Sequence, residues 1–217
     1  RYGKNQPVQA KYEYIYGASQ TGRFLREYVY DGFPADEQGR KTFDAVWAQI
    51  SGSARGDFIN PFALADGLGV FTGSMFPFSD VPQKDPLTGK TDGMEMKLSP
   101  AVRPKIIYTN TDVENTGGGR DAALMYTALD GKTELKLPDN VRVYMWAGAQ
   151  HGPAKFPPAK GVLANLPNPN NYSWGMRAIF EGMDAWVRKG TAPPASQYPR
   201  LADGTLEFLG RQDDQLK

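Results

Sequence analysis

One imidazole is present in this chain: His151, in the loop Gly148-Ala149-Gln150-His151-Gly152-Pro153, directly after the strand-like run Val141 to Trp146. Far upstream, Ser19 stands at the same kind of junction, a strand, a tight glycine turn and then a helical pattern. A serine hydroxyl is a poor nucleophile until a base takes its proton, so attack on an acyl carbon by Ser19 would require an imidazole within hydrogen-bond reach. The imidazole in turn needs a carboxylate to fix its tautomer and to stabilise the imidazolium formed during attack. Of the carboxylates between Ser19 and His151, Asp112 and Glu114 stand just past the end of a strand-like run, and spacing leaves both open. Each residue also has a purely structural reading: Ser19 as the N-cap of the following helix, His151 as a surface loop residue, either acid as a solvated loop carboxylate. The joint role is favoured because all three types fall at strand ends in the order Ser, acid, His.

Those positions require a sheet. Lys11 to Tyr16 reads as a first strand through Tyr12, Tyr14, Ile15 and Tyr16, and Gly17 ends it. Thr21 to Tyr30 has Phe24, Leu25, Tyr28 and Val29 at helical spacing, with Gly32 as its stop. Phe43 to Ile50, Lys105 to Thr109 and Val141 to Trp146 read as three further strands. Arg120 to Leu129 is expected to be a short helix closed by Asp130-Gly131. Tyr172 to Lys189 is the clearest helix, with Ile179, Met183 and Trp186 on one face and Gly190 and Pro193-Pro194 after it. Strands that each lead to a helix or a polar loop imply an α/β fold, a mostly parallel sheet flanked by helices, with functional groups beyond the strand carboxyl ends. Ser, acid, His is also the chain order expected on an α/β-hydrolase sheet. Gly17-Ala18-Ser19-Gln20-Thr21-Gly22 then reads as a nucleophile elbow. Its departure is Thr21, which takes the place of the usual second glycine of G-x-S-x-G and is expected to crowd the turn.

Composition narrows the alternatives. With 40% hydrophobic residues, 23% charged and a net charge of +1, the chain has the balance of a globular domain. It lacks the Lys/Arg runs that binding to nucleic acid needs. Zero cysteines remove disulfides, thiolate metal sites and a cysteine nucleophile, and one histidine argues against the common transition-metal sites. No apolar stretch approaches the roughly 18 residues of a membrane span. Weak motifs are read as structural: Arg55-Gly56-Asp57 matches an adhesion tripeptide by chance. Asp85 to Asp92 lacks the spacing and terminal glutamate of a calcium loop, and Gly117-Gly118-Gly119 lacks the Lys-Ser/Thr of a phosphate cradle.

From 52 to 104 no periodicity is convincing; glycine, proline and scattered Phe58, Phe62, Phe71, Phe76 and Phe78 dominate. So long an irregular stretch within a compact domain is expected to be functional, here a cap or lid insertion. Its aromatics, with Trp146 and Phe156 as further candidates, would line an apolar pocket or fill the core.

The strings YGASQTGRFLREYVYDGFPADEQGR, YTNTDVEN, VRVYMWAGAQHGP and DAWVRKGTAPPASQYPRLADGTL resemble the bacterial α/β-hydrolase domain proteins whose serine lies in a G-x-S-Q-x-G-R turn. The resemblance runs from about Tyr14 to Leu206. It implies that Thr21 belongs to this family's own form of the elbow, with Ser19 as nucleophile and His151 as base. It also ranks Glu114 above Asp112 as the acid, because the family's Thr-Asn-Thr segment is followed by a glutamate that aligns with Glu114. The aromatic pair that usually follows is replaced by Asn115-Thr116 and the glycine run.

The expected activity is that of a serine hydrolase cleaving carboxylic esters of small molecules through an acyl-enzyme, without cofactor or metal. An amidase or peptidase of the same fold, or an inactive hydrolase fold used for binding, are the alternatives. The Gln20 backbone N–H, at the start of a helix, would supply one oxyanion donor. Few residues precede the first strand, whereas a hydrolase of this fold has further strands and half of its oxyanion hole there. The chain is therefore expected to be the C-terminal portion of a longer hydrolase. A missing N-terminal segment or a partner chain would cover the sheet edge at the first strand and give the second donor.

Overall fold

The computed structural model describes residues 10–58, 75–116, 120–162 and 164–207. Four parallel strands form the main sheet, β1 (Tyr14–Ala18), β2 (Ala45–Gln49), β5 (Lys105–Thr111) and β6 (Val141–Trp146), in the order β1-β2-β5-β6. Between β2 and β5 lies a small antiparallel hairpin of β3 (Gln83–Lys84) and β4 (Thr91–Asp92). The helices are α1 (Gln20–Tyr30), α2 (Asp112–Thr116) and α3 (Ser173–Lys189). Because the sheet is parallel and its order follows the chain, all four carboxyl ends open on one edge, and Ser19, Glu114 and His151 each follow one of them. No helix among the described residues is long and apolar enough to cross a membrane.

Strand alternation separates two cores. Val46 and Ala48, Ile106 and Tyr108, and Val141 and Val143 face one side, where Leu25 and Val29 of α1 close over them. Ala45, Trp47, Ile107 and Tyr144 face the other side, against Met183 and Trp186 of α3. The register matches these faces row by row: Val46 sits beside Ile106, and Ile106 beside Val141. α3 stops where Gly190 turns left-handed at φ 71°, its N–H bonded to the Trp186 carbonyl, with Arg188 and Lys189 in the last turn against the helix dipole. β1 pairs with β2 alone among the described strands, and Tyr16 on it remains 53% exposed.

Three differences from the sequence reading have physical causes. The stretch from Arg120 to Leu129 holds a single 3-10 turn, Ala122–Met125, and not a helix; Ala122 and Met125 are both buried, and the chain leaves helical geometry at Tyr126 to meet Glu134 through Thr127. β5 runs two residues further than its β-favouring run, through Asn110 and Thr111, since polar side chains there bond within the fold. The 52–104 stretch carries the hairpin and also buried Met94, Leu98 and Val102, of which Leu98 and Val102 join the core on the α1 side. Phe62, Phe71 and the run Gly117-Gly118-Gly119 lie outside the described residues.

Candidate active site

Ser19 is the single residue between the end of β1 and the start of α1, with φ 55° and ψ −116°. A side chain at positive φ costs on the order of 1–3 kcal/mol and persists only where its surroundings hold it. The Ser19 N–H donates to the Gln49 carbonyl oxygen at 2.9 Å, and its own carbonyl accepts the Arg23 N–H at 3.0 Å. Two glycines make the approach possible: a Cβ at Gly17 would lie 2.6 Å from the Thr21 oxygen, and one at Gly22 would lie 2.9 Å from the Gln49 oxygen. Thr21 does not crowd this turn. Its hydroxyl donates to the Ala18 carbonyl at 2.7 Å and accepts the Ala18 N–H at 2.9 Å, clamping the strand end across the elbow. Close packing on β2 falls one residue later, at Gly22. Ser19 makes no side-chain cap bond to α1; its Oγ lies 2.9 Å from His151 Nε2.

Glu114 arrives by a short route. β5 ends at Thr111 and α2 begins at Asp112, so the carboxylate folds back on the strand end. Glu114 Oε2 accepts the Thr111 N–H at 2.9 Å and the Thr111 hydroxyl at 2.5 Å, and Oε1 lies 2.6 Å from His151 Nδ1. The side chain is fully buried. Burial pushes its pKa up, but the hydrogen bonds from His151 and from Thr111 outweigh that and hold the carboxyl below its ordinary value. Asp112 goes elsewhere: Oδ2 accepts the Gly148 N–H at 2.6 Å, tying α2 to the start of the histidine loop.

That loop is fastened at several points. The Tyr172 hydroxyl donates to the His151 carbonyl at 2.8 Å, and its ring stacks on Trp146 with centroids 5.8 Å apart. Asn168 Nδ2 donates to the Gly148 carbonyl at 2.6 Å and its backbone N–H to Gln150 Oε1 at 3.0 Å. Gln150 Nε2 donates to the Gly152 carbonyl at 2.6 Å. Trp146 thus stands as a wall of the loop, whereas Phe156 is 84% exposed. Phe58 meets Phe24 of α1 edge-to-face at 5.8 Å, and Phe76 meets Phe78 at 6.0 Å.

Sequence reasoning missed Arg120. Its NH1 lies 2.8 Å from Glu114 Oε1 and 2.6 Å from His151 Nδ1. The main chain holds it there: Ser53 N–H donates to the Arg120 carbonyl at 2.7 Å. Gly52, at φ 62°, has no room for a Cβ, which would collide with the same oxygen. Neither contact has a signature in spacing or periodicity. Gln20 is the first residue of α1, where backbone N–H groups have no partner within the helix, and it follows Ser19 directly.

The motifs set aside in the sequence are occupied structurally. Arg55 is buried, pairing with Glu27 Oε2 at 2.6 Å and lying over the Tyr30 ring at 3.7 Å. The Asp85 carboxylate accepts the Leu87 N–H at 3.0 Å and the Thr88 hydroxyl at 2.5 Å, closing the hairpin turn. Among the described residues, no three His, Cys, Asp or Glu residues gather as a metal site.

A hydroxyl, an imidazole and a carboxylate in hydrogen-bonded sequence, at the carboxyl ends of three parallel strands, can pass a proton away from the hydroxyl. No curated protein and no solved structure gives a match to the chain. The family model described as alpha/beta hydrolase domain matches residues 3–215, which spans the sheet, the helices and all three of these side chains. The chain belongs to the alpha/beta hydrolase domain family.

Proposed function

We propose that the protein is a serine hydrolase that cleaves carboxylic esters of small molecules. The observation that carries this reading is the unbroken contact from Ser19 Oγ to His151 Nε2 at 2.9 Å and from His151 Nδ1 to Glu114 Oε1 at 2.6 Å. The Nδ1 proton donated to Glu114 leaves the Nε2 lone pair facing Ser19, the tautomer a general base needs. Ser19 Oγ attacks the ester carbonyl as its proton passes to Nε2, and Glu114 stabilises the imidazolium. The tetrahedral oxyanion is held in part by the Gln20 N–H. Collapse expels the alcohol, which takes the Nε2 proton, and leaves an acyl group on Ser19. Water, deprotonated by His151, then releases the acid by the reverse sequence.

The strained elbow supports the same reading. A positive φ at a serine whose side chain does not cap its helix is a costly conformation, as expected of a nucleophile held out from the chain. A series of p-nitrophenyl esters against the matched anilides tests the proposal. Ester hydrolysis that is lost in Ser19→Ala supports it. Faster turnover of the anilides assigns an amidase, and no turnover of either by folded protein overturns the reading.

A further inference from the structure

The contact of Arg120 with both partners of the proton relay is unusual in its geometry. NH1 of Arg120, Nδ1 of His151 and Oε1 of Glu114 form a triangle with sides of 2.6, 2.6 and 2.8 Å. Nδ1 and Oε1 at 2.6 Å need a proton between them, since two lone pairs would repel at that distance. That proton belongs to Nδ1, so Nδ1 is a donor, and the guanidinium cannot also donate to it. Of the three edges, two are hydrogen bonds to the same carboxylate oxygen, and the third sets a fixed positive charge against the imidazole.

We propose that Arg120 is a positioning residue: its guanidinium restrains the Glu114 carboxylate and holds it against the Nδ1 edge of His151. This rests on the proposed ester hydrolysis for its meaning, though not for its test. The guanidinium is always charged, its side chain is 13% exposed, and its carbonyl is pinned by Ser53 over the cramped Gly52. A cation held there binds the same oxygen that accepts the Nδ1 proton, and so fixes the carboxylate in line with the imidazole. Other polar and charged groups face the ring or its loop from each neighbouring element. Ser19 faces it from the start of α1, and Tyr172 reaches the His151 carbonyl from the segment before α3. Asp112 of α2 is bonded to Gly148 in the same loop. Arg23 of α1 lies close enough to Arg120 to feel its charge.

Two substitutions separate charge from shape. Arg120→Met keeps most of the side-chain length and removes the charge; Arg120→Lys keeps the charge and loses the planar fork. The rate of fluorophosphonate labelling is measured for both and for the wild type, with circular dichroism confirming the fold. The expected result is a rate reduced about tenfold or more in Arg120→Met and largely restored in Arg120→Lys. The protein has one histidine, so 15N-histidine labelling gives a single imidazole whose Nδ1–H signal can be followed by NMR without turnover. That signal is expected to be sharp and slowly exchanging in the wild type and in Arg120→Lys, and broadened or lost in Arg120→Met. An Nδ1–H signal unchanged in Arg120→Met, or lost equally in both variants, overturns the proposal. If Ser19 is labelled in none of the three proteins, the ester reading fails, and the Nδ1–H signal still decides the role of Arg120.

Discussion

The backbone N–H of Ser19 donates to the carbonyl oxygen of Gln49 at 2.9 Å, which links the start of α1 to the end of the neighbouring strand. That one bond ties the Ser19 backbone, strained at φ 55°, to a strand whose five residues are all buried. The position of Ser19 is therefore set by the β1–β2 register as much as by the turn itself. Its strain is balanced by a bond that two glycines leave room for.

Gly22→Ala tests this arrangement. The new Cβ would lie 2.9 Å from the Gln49 oxygen and 3.1 Å from the Gly17 oxygen, both of them backbone atoms that cannot yield cheaply. Overpacking of this kind costs about 1–3 kcal/mol. Thermal denaturation is expected to show a lowered midpoint, and fluorophosphonate labelling of the folded fraction should slow, because the shift falls on the acceptor of the Ser19 N–H.

The two acids are expected to separate cleanly. Glu114→Gln removes the charge that faces Nδ1 and offers an amide in its place, so the rate of Ser19 labelling should fall by about a thousandfold or more. Asp112→Asn keeps an oxygen for the Gly148 N–H, and its rate should stay within about tenfold of wild type. A larger loss in Asp112→Asn than in Glu114→Gln would transfer the acid role to Asp112.

Stability should depend on pH through Glu95. Burial, followed by the nearby charge of Asp80, pushes its carboxyl up to about 8, although Asn140 Nδ2 donates to both of its oxygens. The folded chain therefore holds this proton more tightly than the unfolded chain. The stabilising contribution is complete below the ordinary value of 4.5 and is lost as pH rises toward about 8. Over that window the loss approaches about 1.4 kcal/mol per pH unit. Urea denaturation at pH 5 and pH 8 checks it: Glu95→Gln should flatten the difference that the wild type shows.

Much of the site is legible in the chain because strand ends announce themselves. The runs ending at Tyr16 and Trp146, with the glycines beside Ser19 and His151, are enough to put both side chains on one sheet edge. Spacing does not choose between Asp112 and Glu114, since both follow the same strand; the resemblance ranks Glu114 first. Arg120 is not legible. Its place arises from a glycine turn at Gly52, an acid on α2 and a loop after β6, three segments brought together by the sheet and by nothing local. The β3–β4 hairpin, with two-residue strands, is too short to have a period, and Met94, Leu98 and Val102 are buried from irregular backbone where no alternation exists to read.

The most direct test of the central claim is covalent labelling with a fluorophosphonate, followed by mass spectrometry of the modified peptide. The account predicts stoichiometric labelling at Ser19 in the wild type, none in Ser19→Ala, and a rate that falls when His151 is replaced. Labelling of a different serine, or a folded wild-type protein that takes up no probe, would contradict it.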